Sequence, residues 1–213
     1  SITDKRLGRP AGIKVVVAMS GGIDSSVAAA LLKKGFYPEL GRRVDIIGVF
    51  MKFWSEPGEK GALNKCCSPE SQKRAGWVAK SLGIPFYVFD FQKEFKKRIV
   101  DDFLKESKRG VTPNPCIVCN KEIKFGLLLG KALSLGADFI ATGHYARISK
   151  FVDQKQIRYS LMAGIDKEKD QSYFLWKLDQ KQLSRVLFPV GDYVKSQTRA
   201  LAKKFNLPVF DIS

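Results

Sequence analysis

A short all-apolar run, Val15-Val16-Val17-Ala18, feeds directly into Met19-Ser20-Gly21-Gly22-Ile23-Asp24-Ser25-Ser26. That order constrains the chain more than any other feature. A continuous apolar run of this length reads as a strand buried on both faces. The glycine pair lets the backbone turn tightly and leaves amide donors uncovered, since no Cβ stands in the way. Ser25 to Lys34 reads as a helix ending at Gly35, and its positive end points back at the bend. Strand, glycine bend and helix start together form a cradle for a phosphate, with Ser20, Ser25 and Ser26 as extra hydroxyl donors. The lysine of a Walker A loop is absent, and the spacing is not GxGxxG. Asp24 is read as a contributor to metal binding or to loop geometry, although an acid in a first helical turn is also an ordinary capping choice.

The pattern repeats downstream. Asp45 to Phe53 and Phe86 to Asp90 read as further buried strands. Ser68-Pro69 opens a helix with cap and first-turn proline in favoured places. Ala75, Val78, Ala79 and Leu82 form one helical stripe on it. Phe95, Ile99 and Phe103 mark another helix. Asn120 is expected to cap a helix carrying Phe125, Leu128, Leu129 and Ala132, and Asp138 to Thr142 is a fourth strand. This β-α-β-α-β-α-α-β order predicts an α/β fold, a doubly wound parallel sheet with helices on both faces. Ligands then bind at the carboxyl ends of the strands, near the topological switch point. Ala146 to Lys150 and Arg158 to Met162 resemble a hairpin, short helical pieces follow, and Ser196 to Phe205 is a last amphipathic helix. Residues 1–13 are expected to be a basic arm or an appended remnant, 14–165 the nucleotide-binding catalytic domain, and 166–213 a helical continuation that begins a smaller second domain.

The charge balance points to a partner. Lys and Arg total 37 against 21 Asp and Glu, a formal net charge of +16 in 213 residues. Such an excess repels itself in a compact state and usually accompanies a polyanion. The basic residues are dispersed through many segments, not massed on one amphipathic helix, so nucleic acid is favoured over a membrane surface. No apolar run approaches the roughly 18 residues of a membrane span. The first residues lack the apolar core of a secretory signal. Cys66, Cys67, Cys116 and Cys119 are therefore expected in a reducing, cytoplasmic setting, where such pairs bind metal or do redox chemistry more often than they staple folds.

Cys116 and Cys119 lie in GVTPNPCIVCNKEIKF, residues 110–125. Pro113 and Pro115 force extended backbone up to Cys116. Cys119 is expected beside the start of the helix capped by Asn120, where the dipole and nearby Lys121 and Lys124 favour thiolate. A thiolate there suits a sulfur carrier or nucleophile. Cys66-Cys67 as the other half of a zinc site is disfavoured, because adjacent cysteines do not easily ligate one tetrahedral ion. His144, the single histidine, follows Gly143 at the carboxyl end of the fourth strand. Phe53 and Trp54 read as packing residues.

The nine-residue string Ala18 to Ser26 resembles the SGGxDS motif of the pyrophosphate-loop ATP pyrophosphatases. With Gly48 to Trp54, Thr112 to Phe125, Gly136 to Ala146, Lys169 to Leu175 and Leu183 to Gly191 in the same order, the chain resembles the tRNA-specific 2-thiouridylase family. The resemblance implies a tRNA-uridine 2-sulfurtransferase. ATP, with Mg²⁺, would lie against Ala18, Met19, Ser20, Gly21, Gly22, Ile23, Asp24 and Ser25, with Met51 and Gly143 lining the nucleotide pocket. The C2 oxygen of wobble uridine U34 in tRNAs for Lys, Glu and Gln would be adenylated. Sulfur from a persulfide donor, a cysteine desulfurase or relay protein, would then displace AMP. Cys119 matches the first family cysteine and would be catalytic. Asn114, Pro115 and Cys116 match the segment that meets the target base. His144, Lys169, Asp170 and Gln171 match positions that touch tRNA.

Two departures qualify the resemblance. Cys116 stands where many members carry an aspartate proposed as acid/base. The pair Cys116-x-x-Cys119 thereby becomes a candidate for iron–sulfur ligation, for a disulfide or for free thiols. No cysteine follows Cys119, so the second, persulfide-bearing cysteine of the family and its later domains are expected to be missing. The piece in hand is expected to bind ATP without completing thiolation. The competing readings are a pyrophosphate-loop ligase or amidotransferase acting on a small substrate, and a non-catalytic RNA-binding module.

Overall fold

The computed structural model describes residues 12–36, 40, 43–54 and 68–211. Cys66, Cys67 and most of the expected N-terminal arm lie outside the described residues. Strand β1 (Ile13–Ala18) leads into helix α1 (Ile23–Lys33), then β2 (Val44–Lys52), α2 (Pro69–Ser81) and β3 (Phe86–Asp90). Helix α3 starts at Gln92–Phe95, widens into a π-helical stretch at Lys96–Val100 and continues through Asp101–Lys108. Helix α4 does the same, from Pro115–Cys119 through π-helical Asn120–Leu128 to Leu129–Ser134. Strands β4 (Phe139–Ala141), β5 (Ala146–Asp153) and β6 (Gln156–Ala163) follow, then α5 (Gln180–Leu183), β7 (Val186–Leu187) and α6 (Lys195–Lys204).

The main sheet has five strands in the order β3-β2-β1-β4-β7, and every pair in it is parallel. The α/β reading therefore holds, with one strand more than the sequence suggested. A two-residue strand such as β7 carries too little periodicity to be seen in advance. Alternation along β1 divides the core in two. Val15 and Val17 face a layer formed with α1, α2 and the end of the chain, while Val16 and Ala18 face α3, α4, Phe125 and Ile140.

Helix α1 shows why its sequence is apolar nearly all round. Val27 through Leu32 are each at most 2% exposed, because the sheet covers one side and α6 the other. The segment from residue 166 onward thus contributes β7 to the main sheet and Ala202, Leu207 and Val209 to the α1 layer.

The expected hairpin is present and longer than its apolar pattern indicated. Strands β5 and β6 pair antiparallel from Ala146↔Ala163 to Asp153↔Gln156. Gln154 and Lys155 both take positive φ, 44° and 65°, the two-residue turn whose twist matches the flanking strands. Neither residue is the glycine or asparagine that normally announces this turn, so the ladder was hidden at its tip.

Leu207 is fully buried against the α1 layer. Leu207→Ala is expected to lower the unfolding free energy by about 2–5 kcal/mol, read from the urea midpoint at unchanged m-value.

Candidate active site

The order β2-β1-β4 places the switch point of the sheet between β1 and β4. The chain leaves β1 toward β2 on one side, while β4 arrives on the other. A cavity of about 380 Å³ opens there, at the carboxyl ends of the strands. Its wall takes Ala18, Met19, Ser20, Gly22, Asp24 and Ser25 from the glycine bend and Met51 from β2. Thr142, Gly143 and His144 follow β4, Pro115, Cys116, Cys119 and Lys124 come from α4, and Gln171, Phe53, Phe95 and Ile99 complete the wall.

The bend is built to stay open. Gly22 caps α1 with extended backbone and no side-chain hydrogen bond. The first-turn amides of a helix have no partner within it, and Gly22, Asp24 and Ser25 at this end line the cavity. The Ser20 amide donates to Ser25 Oγ at 3.1 Å, while Ser25 and Ser26 hydroxyls return to the Gly22 carbonyl at 3.1 and 2.8 Å. Gly21 takes φ +77°, and a Cβ there would collide with the Ser71 carbonyl of α2. Arg74 ties the same bend to α2, its Nε donating to the Gly21 carbonyl at 3.3 Å and its Nη2 to Ser71 Oγ at 3.0 Å. Gly143 is needed for close approach: a Cβ would lie 2.5 Å from the Ser25 nitrogen. Gly21 and Ile23 shape the bend from behind without lining the cavity.

The helix carrying the thiols starts earlier than its sequence suggested. Asn114, not Asn120, is the cap: Asn114 Oδ1 accepts from the Cys116 amide at 3.1 Å, with Pro115 in the first turn. Proline loses nothing at that position, since the amide it lacks would have been unpaired. Asn120 sits in helical conformation within α4, buried, and its Nδ2 donates to the Phe174 carbonyl at 3.1 Å. Cys119 therefore lies a full turn inside the helix, and the terminal dipole acts on Cys116. Cys116 is exposed. Of the two lysines expected near the thiols, Lys124 reaches the cavity wall and Lys121 does not.

His144 is buried. Its Nδ1 lies 2.7 Å from Thr142 Oγ1, with the Phe125 and Phe188 rings beside it. Burial, assisted by the charge of Lys124, pushes its pKa well below the usual histidine value. The imidazole at the cavity wall is thus neutral. Gln171 lines the cavity and is clasped by Tyr145: the Tyr145 amide donates to Gln171 Oε1 at 3.1 Å, and the Gln171 amide to the Tyr145 carbonyl at 2.8 Å. Asp170 is spent on its own loop, accepting from the Gly164 amide at 2.8 Å and the Ser172 hydroxyl at 2.7 Å. Lys169 is exposed, and neither residue reaches the cavity wall.

Asp24 is held by two groups that sequence reading missed. Lys195 Nζ lies 2.6 and 2.8 Å from its two oxygens, and the Tyr145 hydroxyl donates to Oδ1 at 2.8 Å. Both carboxylate oxygens are thus engaged, while the side chain keeps 32% of its surface exposed. Among the described residues no three His, Cys, Asp or Glu side chains come together as metal ligands. Cys116 and Cys119 by themselves do not complete an iron–sulfur site.

Comparison with known proteins bears on this geometry. A family described as "tRNA methyl transferase HUP domain" matches residues 13–212. The tRNA-specific 2-thiouridylase MnmA 2 of Thermoanaerobacter sp. (strain X514) is 50% identical over 199 residues, 92% of this chain and 52% of that protein. The tRNA-specific 2-thiouridylase MnmA of Geotalea uraniireducens (strain Rf4) is 50% identical over 202 residues, 92% of this chain and 51% of that protein. The chain thus spans about half the length of the curated relatives it matches. Among solved structures, the U34-tRNA thiolase NcsA from Methanococcus maripaludis with its 4Fe-4S cluster superposes at a TM-score of 0.57. It is 20% identical, over 95% of this chain and 60% of that one. The NMN synthetase from Francisella tularensis gives a TM-score of 0.50 at 17% identity, over 99% and 69%. At these identities the two structures speak for the shared pyrophosphate-loop fold alone.

The state of His144 has a thermodynamic consequence. The unfolded chain takes up a proton near pH 6.5 while the buried ring does not, so stability is present above that pH and is lost as pH falls through it. Unfolding free energies measured between about pH 7.5 and 5 are expected to fall by up to about 1.4 kcal/mol per unit on the acid side. Because His144 is the single histidine, a His144→Asn variant should flatten that slope.

Proposed function

Because this chain belongs to the tRNA methyl transferase HUP domain family, we propose that it is the ATP-using part of a tRNA-uridine 2-sulfurtransferase. The supporting observation is one cavity whose wall carries both an uncapped helix N-terminus on a glycine bend and the Cys116–Cys119 pair. A small-substrate ligase needs the first feature and has no use for the second.

ATP lies with its phosphates on the amides of Gly22 to Ser25 and its nucleoside toward Met51 and Gly143. The C2 oxygen of the wobble uridine in tRNAs for Lys, Glu and Gln attacks the α-phosphorus, forming an O–P bond as pyrophosphate leaves. A helix N-terminus stabilises that leaving charge without having to reorganise. Sulfur supplied as a persulfide by a desulfurase or relay protein then adds at C2 through its outer sulfur, the C2–O bond breaks and AMP departs. The Cys119 thiolate attacks the inner sulfur of the C2–S–S link, the S–S bond breaks, and Cys119 and the donor thiol form a disulfide. C2 keeps the sulfur as the thione, with a proton returned to N3. Cys119 handles the sulfur as nucleophile or carrier, and Lys124 stands on the same cavity wall. Pro115, Cys116 and Asn114 face the base at the start of α4, and the neutral His144 offers a hydrogen bond there rather than a charge. Gln171 sits at the rim toward the tRNA, with Lys169 and Asp170 in the loop leading to it. The excess of 37 basic over 21 acidic residues supplies the attraction for the RNA backbone. Mg²⁺ bound with the nucleotide would neutralise phosphate charge, with Asp24 already engaged by Lys195. Reduced thiols at work in the site fit a cytoplasmic setting.

The test is pyrophosphate release from ATP, driven by unmodified tRNA and not by ammonia with a small metabolite. Cys119→Ser should keep that release within about threefold, since adenylation precedes sulfur transfer. It should abolish 2-thiouridine formation by the whole protein, read by nucleoside mass spectrometry. Binding of tRNA without any nucleotide turnover would instead indicate an RNA-binding module.

A further inference from the structure

Asp24 poses a charge problem for any polyphosphate at this site. It lies in the first turn of α1 and lines the cavity. A carboxylate there suits the helix dipole, yet it repels a second anion seated on the same amides. The tertiary fold resolves the conflict. Lys195 Nζ lies within 2.8 Å of both carboxylate oxygens, and the pair is only partly open to solvent, at 26% and 32% side-chain exposure. Tyr145 donates a third hydrogen bond to Oδ1. Burial, with the Asp24 carboxylate adding to it, holds the Tyr145 phenol above its ordinary pKa, so it stays neutral and donating. The cluster of Asp24, Lys195 and Tyr145 carries no net charge.

Lys195 is itself fixed. It is the first residue of α6, and its amide donates to Asp166 Oδ2 at 2.7 Å. Its ammonium also lies 5.8 Å from the centre of the Tyr145 ring. The pair joins residues 171 positions apart in the chain, so it locks the segment beyond residue 166 to the start of α1.

Resting on the nucleotide reading above, we propose that Lys195 is a positioning residue of the ATP site. Its ammonium occupies the place on Asp24 that a divalent cation would otherwise take. It cancels the carboxylate's charge and pins the N-terminus of α1, so that the bend accepts polyphosphate. Mg²⁺ is not coordinated by Asp24.

Titration calorimetry of the full chain with ATP, with and without Mg²⁺, tests this. Lys195→Met exposes an uncompensated carboxylate and is expected to weaken ATP binding by roughly tenfold. Asp24→Asn removes the repulsion and frees the ammonium, so it should tighten ATP binding and leave its Mg²⁺ dependence as in the wild type. The double variant Asp24→Asn/Lys195→Met should recover to within about threefold of the wild type, a rescue that lost packing would not give. Thermal unfolding reports whether each variant is folded, and Asp24→Asn decides the matter if Lys195→Met is not. Unchanged binding in Lys195→Met, no rescue in the folded double variant, or weaker and Mg²⁺-insensitive binding in Asp24→Asn would each overturn the proposal while leaving the nucleotide reading in place. A wild-type chain that binds no ATP would overturn both.

Discussion

One constraint governs the rest of this molecule: the N-terminus of α1 must be delivered, uncapped, into the gap between β1 and β4. Gly22 provides no side-chain cap, so the amides of the first turn remain available. The sheet order puts β4 next to β1 at that point, and the turn after β4 must then come very close to α1. Gly143 permits this, since any Cβ would strike the Ser25 backbone. The two strands consequently end in a cavity and not in a packed joint.

A bend that forgoes its own capping bonds needs support from elsewhere. It receives it from two directions. On one side Arg74 of α2 holds the Gly21 carbonyl, its guanidinium also bonded to Ser71 and Glu70. On the other, Lys195 and Tyr145 hold Asp24. Contacts of this sort are each worth on the order of a kcal/mol or two net. Their larger effect is to fix direction. Tyr145 grips Asp24 with its hydroxyl and Gln171 with its backbone, so the bend and the loop at the rim share one strut. The π-helical stretches in α3 and α4 fall where Ile99 and Lys124 reach the same cavity, a common association of widened turns with sites.

Where the sequence was misleading, the cause was competition between neighbouring signals. Asn114 and Asn120 are both good caps, and the apolar stripe starting at Phe125 favoured the later one. Pro115 tips the balance, because its fixed φ begins a helix better than it ends a loop. The thiol pair thereby moved as a unit: Cys116 took the terminal amide position and Cys119 moved one turn in. Lys169, Asp170 and Gln171 read as one motif, yet they part company in space. Gln171 meets the cavity while Asp170 is consumed by Gly164 and Ser172.

What the sequence determined by itself was everything encoded within one turn or one strand: the apolar run, the glycine bend, the apolar helix after it, the alternation of strands and helices. Such features are local, and periodicity with turn chemistry suffices to express them. The tertiary structure alone decided which distant groups complete them. Lys195 reads as one more solvated lysine at the start of a helix, and only the packing of α6 on α1 brings its ammonium to Asp24. Val186–Leu187 is too short for any periodic signal and becomes a strand because β4 offers an unpaired edge. The physical reason is the same in both cases. A contact between residues far apart in the chain leaves no mark on local spacing, and it exists only once the sheet order has set which ends meet.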